Sequence, residues 1–396
     1  MPLIPLDEPT TKRIPPDTFS LFALGFRPLY LLGAAFAAIA IPAWVMVFVG
    51  ALQTPIPGTW WHAHEMLFGF GAAIIVGFLF TAGKAWTGLQ TPTDGPLAAV
   101  AVLWLAGRLA MAFGGGGVLA SAIDVAFLPL CAAIFFRVLV KAGSKRNYFI
   151  GLLLSLLGLV NLVFHLALHG AIALDPLASL LFALGLVVVL ESIVAGRVVP
   201  MFTANAVRGV RQWRNKTLDY AAVIAGGLAL LLWAIGVGGA AGALSLLAAV
   251  LHLVRIGGWN PWATRKNPLL WILHLAYLWI PIGLILIGLG QFGLLPRSAG
   301  VHALAIGSMG GLIIGMITRT ALGHTGRMLV AGPVETIAYV LVLAAALVRV
   351  LTVTAIPAAT MAGIHFAATA WSLAFLLYVW RYLPFLTRAR VDGKAG

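Results

Sequence analysis

Trp60-Trp61-His62-Ala63-His64-Glu65-Met66 opens an apolar run that continues to about Ala82. A bilayer core of about 30 Å calls for roughly 20 apolar residues per helix, and this run meets that length. Its first residues carry two imidazoles, a carboxylate and a thioether. Ionisable groups are costly in a membrane helix and mark functional positions there. Taking the run as a membrane helix decides the fold class, because the rest of the chain repeats the pattern.

Of 396 residues, 62% are hydrophobic and only 9% charged, and the mean hydropathy is +1.04. That composition belongs to the membrane class and excludes a soluble enzyme. Membrane-length runs fall at 20–51, 61–83, 96–114, 118–140, 148–170, 176–196, 219–237, 241–256, 268–291, 299–319, 333–355 and 358–383. The expected fold is therefore all-α, a polytopic bundle of twelve transmembrane helices. Two glycine clusters, Gly114 to Gly117 and Gly236-Val237-Gly238-Gly239, are the thinnest separators between runs.

Charge tests the count. With the N-terminus inside, twenty lysines and arginines fall in cytoplasmic tails and loops, from Lys12 and Arg13 to Arg390 and Lys394, and only Arg297 falls outside. This is the positive-inside bias; one helix more or fewer would scramble it. Both termini are thus expected in the cytoplasm, with an N-terminal tail over 1–19, the membrane domain over 20–385 and a C-terminal tail over 386–396. The tail over 1–19 lacks the basic-then-apolar layout of a cleavable signal. The formal charge of +14 reflects these basic loops and not a nucleic-acid partner. The single cysteine, Cys131, excludes a disulfide framework, covalent haem attachment and an iron–sulfur pattern.

Topology sorts the nine histidines by depth. His62 and His64 on helix 2, His165 and His169 on helix 5, His302 on helix 10 and His365 on helix 12 converge on the outer half. His252, His274 and His324 lie on the inner side. A lone histidine in a bundle is most often a hydrogen-bonded core residue, but six at one depth point to metal or haem iron. His165 and His169 are four apart and share a face. His62 and His64 are roughly 200° apart on a regular helix and should serve different sites, whereas His62, Glu65 and Met66 share a face. Met309 is a candidate soft ligand for copper, with plain packing the commoner role.

Other buried polar groups have expected partners. Arg108 and Asp124 sit at equal depth on either side of the glycine hairpin, which predicts an antiparallel ion pair. Arg108 and Arg349 are the alternative anchors for haem propionates. Glu65 is expected as a proton carrier or as the group that orients a histidine, and Glu191 as a partner of Arg197. Gly307, Gly310, Gly311 and Gly315 let helix 10 approach a neighbour or a flat cofactor, plain packing being the commoner use. His64 and His302 each precede glycines five and thirteen residues on, a faint internal likeness. Gly25-Phe26-Arg27-Pro28, the run from Arg197 to Asn205 and the run from Arg319 to Arg327 are expected to be capping, turn and loop-docking elements at the inner face.

These motifs resemble the NnrS family of bacterial inner-membrane proteins. The resemblance is carried by Gly25-Phe26-Arg27-Pro28, by Trp61-His62-Ala63-His64-Glu65-Met66 with Gly69-Phe70, by Gly196-Arg197-Val198-Val199-Pro200 with Phe202, Thr203 and Asn205, and by Leu322-Gly323-His324-Thr325-Gly326-Arg327. It implies non-covalent haem b and copper, nitric oxide as a ligand or substrate, a protective role in nitrosative stress and denitrification, and the bacterial inner membrane. It supplies no ligand assignment. Quinol is a candidate electron source. Two other classes compete: a proton-coupled secondary transporter using Glu65, Asp124 and Glu191, and a haem or copper assembly factor without turnover.

Overall fold

The computed structural model describes residues 14–394. Lys12, Arg13 and most of the tail expected over 1–19 lie outside the described residues. Among the described residues, twelve helices are long and apolar enough to cross a membrane: α1 Phe26–Phe48, α2 Gly58–Thr87, α3 Asp94–Phe113, α4 Val118–Lys141, α5 Lys145–Leu168, α6 Pro176–Ala206, α7 Lys216–Ala234, α8 Gly238–Gly258, α9 Pro268–Gln291, α10 Arg297–His324, α11 Pro333–Thr354 and α12 Pro357–Thr387. No strand occurs among the described residues. The chain is a multi-pass membrane protein. Short turns make successive helices antiparallel neighbours, and α12 packs back on α1. The glycine hairpins are genuine turns, with Gly115, Gly116 and Gly236 at φ of +67°, +70° and +81°.

An even helix count returns both ends to one face. There, Ser20 N donates to Thr387 O at 2.8 Å and Ala389 N to Thr18 O at 2.9 Å. Arg27 locks this closure. Its buried guanidinium donates to the carbonyls of Leu386 at 3.1 Å and Arg388 at 2.7 Å, tying the start of α1 to the end of α12. The C-terminal strap then docks on the end of α10, where Val391 N meets Thr325 O at 3.2 Å and Arg390 Nη1 meets His324 O at 3.1 Å. Two of the three inner motifs are therefore the docking elements expected of them.

The third is not a loop. Arg197 to Asn205 forms the last turns of α6, which runs ten residues beyond the expected boundary at 196. Pro200 cannot donate to the carbonyl of Gly196, and Arg214 Nη2 takes that carbonyl at 2.9 Å instead. The helix survives its proline because a loop arginine satisfies the freed acceptor. Glu191 also departs from expectation. It accepts from Ser308 Oγ at 2.8 Å, while Arg197 donates to Asn147 Oδ1 at 3.2 Å.

Two helices occupy the centre. Buried residues make up 83% of the apolar window of α2 and 72% of that of α10, against 33% for peripheral α7. Small residues allow this, since association within lipid relies on close van der Waals packing. A Cβ on Gly307 would enter the Trp279 ring, one on Gly310 the Trp371 ring, and one on Gly311 would lie 2.7 Å from the Cβ of Ala276. The glycines of α10 thus serve helix packing. Gly307→Val is expected to lower the thermal midpoint by an amount worth about 1–3 kcal/mol, read as a shifted melting curve in detergent; an unshifted curve would refute the packing role.

Both central helices share an interruption. In α2 the α-helical turns end at His64, and Glu65–Gly71 is π-helical. In α10 they end at His302, and Ala303–Gly310 is π-helical. Such wide turns concentrate at functional sites. The faint likeness of the two runs is therefore structural: each central helix changes its winding at the residue after an outer-half histidine. The two segments meet where a Cβ on Gly71 would lie 3.5 Å from Met309 Sδ.

Candidate metal and cofactor sites

The π segment of α2 splits the opening motif between two sites. His64 and Glu65 turn towards α3, α4 and α5; His62 and Met66 turn towards α10. Expected separation of His62 from His64 therefore holds, but Glu65 goes with His64 and not with His62. A wide turn shifts the azimuth of every residue after His64 relative to a regular helix, and this is what the helical spacing missed.

The first site is a closed polar cluster. Asp124 on α4 is its hub: Oδ1 pairs with Arg108 Nη2, while Oδ2 accepts from Asn161 Nδ2 at 2.8 Å and faces His165 Nε2 at 2.9 Å and His64 Nε2 at 3.2 Å. Glu65 Oε1 accepts from Arg108 Nη1 at 2.7 Å and from His64 Nδ1 at 2.9 Å. The hairpin thus forms the Arg108–Asp124 pair its spacing predicts. Glycines make room for it: a Cβ on Gly107 would lie 3.3 Å from Asp124 Cα, and one on Gly69 would lie 2.9 Å from Arg108 Nη1. The Gly69 carbonyl accepts from Trp104 Nε1 at 3.0 Å.

Charge and hydrogen bonds fix the cluster's protonation pattern. The Asn161 amide donates to a carboxylate, so its oxygen faces His64 Nε2, at 3.0 Å. Both nitrogens of His64 then face acceptors, the donor pattern of an imidazolium. Two carboxylates against one guanidinium leave one negative charge, and one proton on His64 closes the balance. The same atoms can close it with a metal. Ligand atoms of His64, Asp124 and His165 all lie within 4.8 Å of one another, two imidazoles and a carboxylate converging on one point. Asn161 was missed from the sequence because a lone asparagine in an apolar helix carries no motif; its spacing of four from His165 was the available signal.

The second site is a cavity of about 540 Å³ in the half of the bundle away from the termini, between α1, α2, α6, α10, α11 and α12. Its walls are apolar apart from His62, His302, Arg297, Arg349 and a few hydroxyls, and Met66 and Met309 add two thioethers. His302 Nδ1 donates to Ser298 O at 2.7 Å, which fixes the tautomer and leaves Nε2 bare. His62 stacks on Trp44 with centroids 4.3 Å apart, and its Nδ1 has no partner. Arg349 Nη1 is likewise unpartnered. A volume of this size with few convergent polar groups is that of a cofactor pocket.

Residues 20–390 match a family profile described as NnrS protein. The chain belongs to this family. No curated protein matches it. In this NnrS-family chain the remaining predicted residues are divided. His169 is exposed at the end of α5 and its Nε2 meets Ser121 Oγ at 2.8 Å, at the rim of the polar cluster. Arg108 is committed to Glu65 and Asp124, so Arg349 alone of the two arginines faces the cavity. His365 is exposed on the outside of α12 and joins neither site. Its depth was right and its azimuth was not, because one polar residue on a helix says nothing of which face turns inward. On the inner side His252 Nδ1 meets the Tyr277 hydroxyl at 2.6 Å, His274 Nδ1 donates to Leu270 O at 3.1 Å, and His324 packs on Phe26.

Proposed function

We propose that this chain is a haem- and copper-binding membrane protein of nitric oxide metabolism and nitrosative-stress resistance, with haem b held in the outer cavity between His62 and His302. The observation that carries the reading is that cavity: apolar walls, two imidazoles from different central helices, and an unpartnered arginine. These match the three parts of a haem, namely an apolar macrocycle, an iron that takes nitrogen ligands and anionic propionates that need a cation. His302 is the pre-oriented ligand, since Ser298 O holds its Nδ1–H and aims Nε2 inward. His62 lines the same cavity with Trp44 tilted against its ring, and would be the second, weaker ligand whose position nitric oxide can take. Arg349 and Arg297 take the propionates. Bound haem supplies an iron centre to which diatomic ligands such as nitric oxide bind, and the apolar walls keep water from it.

Copper belongs to the polar cluster in this reading. His64, His165 and Asp124 form the donor set, and a monovalent cuprous ion takes the place of the proton that otherwise neutralises the cluster. Glu65, which accepts from His64 Nδ1, then orients the ring. The haem and copper residues are disjoint, which makes the reading testable part by part. The purified protein is expected to show a Soret band that shifts on adding nitric oxide, together with copper. His64→Ala and His165→Ala are each expected to lower bound copper more than about tenfold while the Soret band stays. A protein purified without a Soret band or copper would favour transport instead, and haem that ignores nitric oxide would favour assembly or storage.

A further inference from the structure

The inner half of the bundle holds polar groups that neither site uses. Glu191 lies on α6 beside a cavity of about 90 Å³, lined otherwise by apolar residues and Tyr30, with no other charged side chain among its lining. Its one side-chain bond is from Ser308 Oγ at 2.8 Å. A carboxyl within a membrane bundle, facing no cation, marks a proton or ion pathway. Ser308 lies in the π segment of α10, and the next residue, Met309, lines the outer cavity. Met309 is the deepest residue of α10 in that lining, so Glu191, bonded to Ser308, lies level with the floor of the proposed haem site.

Tyrosines continue from Glu191 towards the face that carries the termini. The hydroxyls of Tyr30 on α1, Tyr339 on α11 and Tyr378 on α12 are buried without a hydrogen bond, and Tyr378 lies within electrostatic reach of the other two. Thr320 stands beside Tyr30 and Thr318 beside Tyr339. Those threonines are within hydrogen-bonding reach of Tyr30 and Tyr339, so Tyr378 is the least satisfied of the three; an unpaired buried hydroxyl is costly, and ordered water is the usual remedy. Room exists at the end between Tyr30 and Glu191, the polar residues of that cavity, where 90 Å³ is several times the roughly 10–15 Å³ that one water needs. Tyr378 stacks on Tyr382 with centroids 4.7 Å apart, and the Tyr382 hydroxyl donates to Glu335 Oε1 at 3.1 Å. Glu335 also accepts from Arg381 at 3.3 Å, whose side chain is 45% exposed, so the series reaches the surface.

We infer that Glu335, Tyr382, Tyr378, Tyr339, Tyr30 and Glu191 line a proton path from the terminus-bearing face to Ser308, level with the floor of the other cavity. Each hydroxyl or intervening water accepts a proton on a lone pair and releases its own to the next group, so no net charge stays on a tyrosine. Glu191 holds the proton at the inner end of the path as a neutral carboxylic acid bonded to Ser308. Only the destination rests on the haem reading; the path is a property of these residues alone.

Infrared spectroscopy of the full chain in vesicles tests it, by transfer from H2O to D2O. A protonated carboxyl band is expected, shifted by D2O and missing in Glu191→Gln. Its exchange is expected to slow about tenfold or more in Tyr30→Phe and in Tyr378→Phe, with melting curves showing that each variant is folded. Should Glu191→Gln not accumulate, the two phenylalanine variants, each lacking one oxygen, decide by rate. A carboxyl band that survives in Glu191→Gln, or exchange as fast in both phenylalanine variants as in the unaltered chain, overturns the path. The measurement needs no Soret band: slowed exchange in a haem-free protein would sink the haem reading alone, and unslowed exchange beside a full Soret band would sink the path alone.

Discussion

Purified His302→Ala protein is expected to carry haem more than about tenfold below the unaltered chain, with bound copper unchanged. Ser298 O holds Nδ1 of His302 at 2.7 Å, so the ring enters the cavity with its tautomer and direction already set. Removing it deletes the better of two ligands and leaves only stacking to orient the other. His62→Ala should lose haem too, and with it the ring stacked on Trp44. Arg349→Ala should weaken haem retention less, because Arg297 lines the same cavity. His365→Ala, exposed on the outside of α12, should leave haem and copper as they are. Haem extracted and quantified against protein, with copper measured on the same sample, reads all four variants. Full haem content in both His62→Ala and His302→Ala would place the cofactor elsewhere.

Arg108→Ala is expected to destabilise the fold by about 3–5 kcal/mol, the cost of breaking a buried ion pair from one side. Glu65 and Asp124 are left facing each other across His64 with too little positive charge between them, in a cluster where Arg108 is 5% exposed and Asp124 not at all. Asp124→Ala should cost as much for the opposite reason. It leaves Arg108 with Glu65 as its one carboxylate and removes the acceptor shared by Asn161, His64 and His165. Arg108→Met combined with Asp124→Leu should recover much of the loss, because neutral partners of similar volume leave the Glu65–His64 pair balanced. Thermal melts of the three variants in one detergent give the coupling. If the double variant is as unstable as the two single losses summed, the cluster is not held together by charge.

Much of the architecture could be read from order along the chain. Twelve apolar runs and the one-sided distribution of basic residues set the helix count, and the structure bears out that count. Boundaries failed where a local rule was overridden from outside the segment. Proline at 200 and charge at Arg197 argued for a helix end, yet Arg214, in the loop beyond, takes the freed carbonyl and α6 continues. His252, His274 and His324, read as apart from the other six, join neither site, and each has a local or near partner.

Depth and azimuth are separate quantities, and the division between sequence and tertiary structure follows them. Hydropathy and charge along the chain determined that this is a polytopic helical bundle, that six histidines lie towards its end away from the termini, and that Arg108 meets Asp124 across a hairpin. Which histidines meet was decided only in the folded bundle. In the π segment of α2, Glu65 goes with His64 while Met66 stays with His62 in the cavity that Met309 also lines, and His365 faces outward. A wide turn leaves no mark in composition, because it arises where central helices with small residues settle against bulky neighbours on other helices. The stretch from His62 to Met66 therefore announces polar chemistry in the membrane, and packing distributes it between two sites.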